Sequence, residues 1–178
     1  MPQNLIIMKT NLWSSAAVNG FLLALITIIF TLFQTAFPMG SVAASILIWV
    51  VKLGATTGTL YYFVKTIGQE QEYFPYKQAF TYGFVLSFCS NIVIACYLWL
   101  HYTFIFPNAI EKQLEVMQPM LAQYNTDQSA IDAVLNNLPV VMTFSTLLLY
   151  SLFALIVSAI IASFVKKAED PFAGEPEL

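Results

Sequence analysis

Residues 42–64 read VAASILIWVVKLGATTGTLYYFV, an apolar run whose only charged residue is Lys52. About 20 helical residues cross a hydrocarbon core about 30 Å thick, so this run is long enough to span a bilayer. A lysine at the bilayer centre costs about 2.5 to 3.5 kcal/mol on insertion scales. We therefore expect Lys52 to have a hydrogen-bonding partner, a water-lined cavity or a functional role.

Three further runs have a similar length and contain no Asp, Glu, Lys or Arg. The four predicted spans are residues 14–37, 42–64, 78–104 and 138–165. Backbone groups within lipid must be satisfied inside their own segment, and the chain lacks the alternating pattern of a transmembrane β-strand. The sequence therefore predicts an all-α, polytopic integral membrane protein with four transmembrane helices in a single domain, residues 1–167.

The connections between the spans differ in length and character. Residues 38–40 predict a tight turn, and residues 68–76 a longer polar turn. Apolar residues recur at helical spacing within residues 107–137, which predicts a short extracytoplasmic helical hairpin between the third and fourth helices. Its apolar face either lies on the bundle and interface or binds a partner. The acidic tail, residues 168–178, is predicted to be disordered.

Composition excludes several functional classes. The chain is 58% hydrophobic and only 10% charged, and it has a net charge of −3 and no arginine, so we expect no nucleic-acid partner. One histidine, His101, has no neighbouring Cys, Asp or Glu for a metal site, and no phosphate-binding glycine loop is present. We therefore predict no cofactor and no enzymatic activity. The third-ranked alternative is an enzyme that uses His101, otherwise an interfacial residue, with Glu111 or Glu115.

Lysines predict the orientation of the spans. Five of them flank one side, and they are Lys9, Lys65, Lys77, Lys166 and Lys167. Only Lys112 lies on the other side. Because cytoplasmic loops carry the excess of basic residues, both termini are expected in the cytoplasm.

The second span has two distinct faces on a helical wheel. Its polar face comprises Ser45, Lys52, Thr56 and Thr59. Gly54 and Gly58 lie on the opposite side, where the absence of side chains permits close approach of another helix. We expect this helix to contact protein on both faces, either at the centre of the bundle or at a homodimer interface.

The third span carries a matching polar face. Its members are Gly83, Ser87, Ser90, Tyr97 and His101, with Asn91 at the edge. Lys52 and Ser90 each lie ~20 Å from the cytoplasmic lysine of their own span, so the two faces should meet near mid-membrane. We expect the Asn91 carbonyl to accept a hydrogen bond from Lys52. The predicted ligand-binding residues are Lys52, Asn91, Ser87, Ser90, Ser45 and Thr56, and the predicted helix-packing residues are Gly54, Gly58, Gly83 and Gly20.

Three segments carry a resemblance to a known family. They are YKQAFTYGF at residues 76–84, FPNAIEKQLEVMQPML at residues 106–121 and SLFALIVSAIIASFVKK at residues 151–167. Together they resemble a small bacterial four-span family, domain of unknown function four-one-nine-nine. The resemblance implies the four-helix architecture and a bacterial inner-membrane location, but it carries no catalytic signature.

Two functional hypotheses remain in competition. The leading one is a non-enzymatic structural or interaction component that contacts a second copy or a membrane-protein partner. The contact would use the face of the second span that carries Gly54 and Gly58, called the glycine face below, or the extracytoplasmic hairpin. The alternative is a small transporter or channel component with Lys52 in a mid-membrane site for an anion or a lipid headgroup. The sequence leaves open whether Lys52 is charged, and packing alone also accounts for the polar faces.

Overall fold

The computed structural model describes residues 3–37, 42–109 and 137–167. Within these ranges the chain forms α1 (Gln3–Ala36), α2 (Val42–Glu70), α3 (Tyr76–Leu100) and α4 (Leu138–Val165). A π-helical turn, His101–Ile105, continues α3. Each of the four helices is long and apolar enough to cross a membrane, which confirms the all-α, four-span prediction.

With the π-helical turn counted as part of α3, the helix bounds agree with the predicted spans to within two residues except at two ends. α4 covers the predicted residues, whereas α2 continues six residues past the predicted end at Val64 and α1 begins well before Ser14. Polar residues beyond an apolar run do not break a helix, and no proline occurs between Val64 and Glu70. The predicted polar turn at residues 68–76 is consequently shortened to residues 71–75.

Other predicted features lie outside the described residues. These are the tight turn at residues 38–40, the hairpin beyond residue 109 and the acidic tail at residues 168–178.

α3 lies at the centre of the bundle and packs along both α1 and α4. Of the residues in its membrane span, 44% are buried, compared with 6% in the span of α2. A central position for α2 was one of the two alternatives expected from its faces, and that alternative is wrong. The reason is that the glycine face of α2 has no neighbouring helix: a Cβ atom at Gly54 or Gly58 would meet nothing within 4 Å.

Small residues form the closest helix contacts. A Cβ atom at Gly20 of α1 would lie only 2.5 Å from the carbonyl oxygen of Leu86 in α3. Gly83 of α3 is also enclosed, since a Cβ atom there would lie 3.3 Å from Ser158 Oγ of α4. Without a hydrophobic driving force between helices in lipid, such close backbone approach supplies van der Waals packing. Large apolar side chains such as Phe104 and Phe164 instead project outward, where hydrocarbon would surround them.

The short connection between α2 and α3 packs against the C-terminal ends of α2 and α4. Phe74 in this connection is fully buried, and its carbonyl oxygen accepts a 2.8 Å hydrogen bond from the backbone N–H of Lys167. Lys167 Nζ also donates to the carbonyl of Gln71 at 3.2 Å. The Phe74 ring packs so closely on Gly68 that a Cβ atom there would lie 2.9 Å from it. This arrangement fixes the lysine-rich end of the bundle.

Candidate functional site: an intramembrane cavity

A cavity of about 330 Å³ lies between the four helices. It is within the range of roughly 300 to 1,000 Å³ that small-molecule sites occupy. Its wall is mostly apolar, and the polar side chains on it come from every helix. These polar residues are Thr27 of α1, Lys52, Thr56 and Thr57 of α2, Ser87, Ser90 and Asn91 of α3, and Tyr150 of α4.

Five of the six predicted ligand-binding residues line this cavity: Lys52, Asn91, Ser87, Ser90 and Thr56. The sixth, Ser45, is an exposed residue about two helical turns before Lys52 and is not among the lining residues in the described part of the chain. The polar faces of α2 and α3 therefore meet around a space, because α2 contacts α3 only sparsely.

Lys52 is the one cation among the described residues that line the cavity. Its ammonium donates a 3.3 Å hydrogen bond to Thr31 Oγ1 of α1. The expected bond to the Asn91 carbonyl does not form, because Asn91 lies across the cavity on α3. An ammonium has three donors, so two of them remain for other groups.

Two buried polar atoms on the cavity wall lack a partner. Among the residues that the structure describes, Ser87 Oγ and Asn91 Nδ2 make no hydrogen bond, although their residues are only 5% and 7% exposed. An unpaired buried donor or acceptor costs roughly 1 to 3 kcal/mol. Most buried polar groups in proteins are paired. These two atoms have almost no accessible surface, so a ligand in the cavity would reach them only after the side chains rotate.

The cavity opens toward the membrane between α2 and α4. Three of its apolar lining residues, Trp49, Leu149 and Phe153, are also 58%, 64% and 47% exposed on the outer surface. These two helices have few contacts with each other. The same side chains therefore border the cavity and the surrounding hydrocarbon.

A row of threonines on α1 continues from the cavity toward the C-terminal end of α3. Thr31 Oγ1 donates to the carbonyl of Thr27, and Thr35 Oγ1 donates to the carbonyl of Thr31, both at 2.9 Å. Thr31 is not among the predicted site residues. The four-residue spacing of these threonines, which puts them on one helix face, is the signal that could have found it.

His101 at the end of this row is fully buried. Its Nε2 lies 3.1 Å from Thr35 Oγ1, and its Nδ1 lies 2.8 Å from Tyr97 Oη. Because the Thr35 hydroxyl proton is already donated to Thr31, the Thr35 oxygen accepts from Nε2–H. For a neutral imidazole, Tyr97 then donates to Nδ1 and the ring proton lies on Nε2.

This geometry does not support the alternative hypothesis that His101 serves in an enzyme. Both ring nitrogens already have partners, and Glu111 and Glu115 lie outside the described residues. In the part of the chain that the structure describes, no group of three or more His, Cys, Asp or Glu side chains is placed to hold a metal ion.

The electrostatics of the cavity favour an anion. No aspartate or glutamate is among its described lining residues, so the Lys52 ammonium has hydroxyl and amide neighbours but no counter-ion. A buried charge without a counter-ion is strongly unfavourable unless it is paired or loses its proton. The Lys52 ammonium, with hydroxyl and amide side chains on the same wall, can bind a group with acceptor oxygens and one negative charge.

Comparison with curated proteins and with solved structures gives no match. One family model does match, over residues 19–167, and its description is a protein of unknown function, DUF4199. The match includes all the residues that line the cavity, as well as His101 and the helix contacts of Gly20 and Gly83. The chain therefore belongs to the DUF4199 family of proteins of unknown function.

Proposed function

We propose that this protein binds an organic anion inside the membrane, in the cavity around Lys52, as a small transporter or channel component. The observation that carries the proposal is the Lys52 ammonium on the wall of a cavity whose described lining residues include no counter-ion. An anion in the cavity would supply that counter-ion. Intramembrane ionisable residues mark substrate or ion pathways by default.

The residues of the cavity wall disfavour transport that is coupled to protons or metal cations. Such pathways usually use aspartate or glutamate within the membrane, and the described cavity wall has neither. Among the described helices the only acid is Glu70, the last residue of α2. The proposed cargo is therefore the anion itself.

The proposed setting is the bacterial inner membrane, with both termini in the cytoplasm. The distribution of lysines supports this orientation, since five lysines flank one side and one flanks the other. Lys65, Lys77, Lys166 and Lys167 then face the negatively charged leaflet, where each basic residue contributes about 1 kcal/mol of attraction. Lys52 lies about 20 Å deeper than Lys65 along α2.

The experiment that tests the proposal uses anilinonaphthalenesulfonate, an anionic dye that brightens in apolar sites. The full chain in phosphatidylcholine nanodiscs should bind the dye saturably above the background of empty nanodiscs. Lys52→Met should weaken this binding about tenfold or more, as expected for a lost charge-assisted hydrogen bond. The matched control is Lys65→Met, which removes an exposed lysine of the same helix and should leave the affinity unchanged. Equal affinity of folded Lys52→Met and the unaltered chain would contradict the proposal.

Self-association is the second candidate function, and the open glycine face of α2 favours it. Gly54 and Gly58 have no neighbour within 4 Å, and α2 is the least covered of the described helices. A small-xxx-small pair lets two membrane helices approach closely. A second copy seated on this face, or a different membrane protein, would make the chain a structural or interaction component.

Native mass spectrometry after gentle detergent release tests this second candidate. A dimer should be observed, and Gly58→Leu should reduce its fraction about tenfold, because a bulky side chain prevents close helix approach. Ile46→Phe, at an exposed position of α2 about 100° around the helix from the glycine face, is the matched control. A strict monomer at all protein concentrations would eliminate self-association through this face.

A further inference from the structure

We infer that the ligand of the cavity is a single-chain amphiphile with one negatively charged oxyanion, and that it enters from the bilayer between α2 and α4. This inference rests on the proposed function and specifies its ligand class. It follows from the charge of the cavity, the character of its wall and the position of its opening.

The polar end of the cavity matches one singly charged oxyanion. Lys52 supplies one positive charge and two remaining donors, and rotation of the Asn91 amide or the Ser87 hydroxyl would turn further donors toward the cavity. A carboxylate accepts about four hydrogen bonds through its two oxygens, so these donors suffice for it. A dianion would retain an uncompensated negative charge, since the described wall contains no second cation.

The rest of the wall matches a hydrocarbon chain. Leu23, Leu53, Ile94 and Val157 surround the polar groups with aliphatic surface, and Phe153 adds an aromatic ring. Binding of a small inorganic anion would leave this apolar surface unused. A ligand that carries its own apolar segment would cover it at about 25 cal/mol per Å².

The position of the opening determines whether the ligand enters from the bilayer or from water. Trp49 of α2 and Leu149 of α4 border both the cavity and the lipid-facing surface. A molecule dissolved in the bilayer reaches the cavity by passing between these side chains, without crossing an aqueous entrance. The volume of about 330 Å³ lies at the lower end of the ligand-site range, which suits one chain better than the two chains of a phospholipid.

Quenching of Trp49 fluorescence by brominated ligands tests the inference. The full chain contains three tryptophans, so Trp13→Phe and Trp99→Phe together leave Trp49 as the only reporter. This variant, in phosphatidylcholine nanodiscs, is titrated with stearate that carries bromine atoms on its chain. The matched neutral ligand is the methyl ester of the same acid, and the matched two-chain ligand is phosphatidylglycerol with brominated chains.

The carboxylate should quench Trp49 saturably, with an affinity about tenfold or more above that of the methyl ester. Lys52→Met should abolish this preference, whereas Lys52→Arg, which keeps the charge, should retain it. Asn91→Leu provides a second variant in case Lys52→Met does not fold, and it should also weaken carboxylate binding. Equal affinities for acid and ester would overturn the inference, as would saturable binding of phosphatidylglycerol that exceeds binding of the carboxylate.

The outcome also separates this inference from the proposed function. If the anionic dye needs Lys52 but the long-chain carboxylate does not bind, the ligand class is wrong and the anion site stands. Displacement of the dye by acetate at the same concentration as by stearate would likewise overturn the need for a chain. If neither dye nor carboxylate binding depends on Lys52, both proposals fail.

Discussion

The Lys52 ammonium on α2 lies 3.3 Å from the Thr31 hydroxyl on α1, and it is held there as a hydrogen-bond donor. Lys52 also lines the cavity that faces Asn91 on α3. The ammonium is thus held from one side by α1 while its remaining donors are open to the cavity. This relationship distinguishes a positioned lysine from one that is merely tolerated in an apolar helix.

Replacement of Asn91 by leucine should stabilise the protein while it weakens anion binding. The unpaired Nδ2 atom destabilises the unoccupied protein, and an apolar group of similar size removes that penalty of roughly 1 to 3 kcal/mol. The measurement is the thermal unfolding temperature in detergent together with dye affinity. Ser158→Ala is the matched control, because Ser158 Oγ is also buried and unpaired but the residue does not line the cavity. It should raise stability without a change in affinity, and a loss of affinity in the control would contradict this separation.

Removal of the Thr31 hydroxyl should lower stability and loosen Lys52. Thr31→Val keeps the side-chain shape but removes the acceptor, and we expect a loss of about 1 to 2 kcal/mol, near the upper end for hydrogen bonds in membranes. Thr66→Val is the control, since Thr66 Oγ1 bonds only to its own helix at Tyr62. A double-mutant cycle with Lys52→Met measures the coupling. Additive effects of the two substitutions would show that the Thr31 to Lys52 bond contributes nothing.

Gly20→Ala should destabilise the contact between α1 and α3. The added Cβ would lie 2.5 Å from a backbone carbonyl oxygen, so the helices must move apart, at a cost of about 1 to 3 kcal/mol. Gly54→Ala provides the comparison, because that Cβ would enter open space. In the monomer it should be neutral or stabilising by up to about 1 kcal/mol through helix propensity. Unfolding in graded denaturing detergent measures both, and equal effects at the two glycines would refute the close contact.

Tyr97→Phe should cost about 1 kcal/mol through loss of the hydrogen bond to His101. Tyr62→Phe, at a side chain that is 63% exposed, should change stability by less than about 0.5 kcal/mol. Ultraviolet-detected thermal unfolding compares the two. An unchanged unfolding temperature for Tyr97→Phe would indicate that the buried imidazole does not depend on this donor.

Phe74→Ala should be the most damaging of these substitutions. Truncation of a fully buried phenylalanine typically costs about 3 to 5 kcal/mol. Tyr73→Ala, at the adjacent and 45% exposed position, is the control and should be much milder. Limited proteolysis of the connection between α2 and α3 measures the local effect, and equal cleavage of the two variants would contradict the packing of Phe74 on Gly68.

The sequence predicts the spans well because apolar length alone determines what can cross a bilayer. α4, whose apolar run is uninterrupted, has the predicted bounds, whereas α2 continues to Glu70 because a polar sequence can remain helical beyond the membrane. The helical wheel also identifies Lys52 and Asn91 as residues that share one polar region, since angular position and depth follow from helix geometry.

Other features could not be predicted from the sequence, because they depend on how the helices pack against one another. The glycine pair in α2 suggests a central helix, yet α3 occupies that place, because a small-residue face permits close contact without specifying a partner. The sequence does not identify Thr31 as the partner of Lys52, for a related reason. Several hydroxyls occur at similar depth, and the wheel of a single helix cannot decide which neighbour lies beside the ammonium.

The Lys52 to Thr31 bond joins residues 21 positions apart, both within the first two helices. During synthesis these helices leave the ribosome before α3 and α4 exist. The ammonium therefore has an acceptor available when α1 and α2 insert, before α3 and α4 follow. Membrane integration of the least apolar of the four described spans, whose mean hydropathy is 1.4, then need not wait for the helix that later becomes the centre of the bundle.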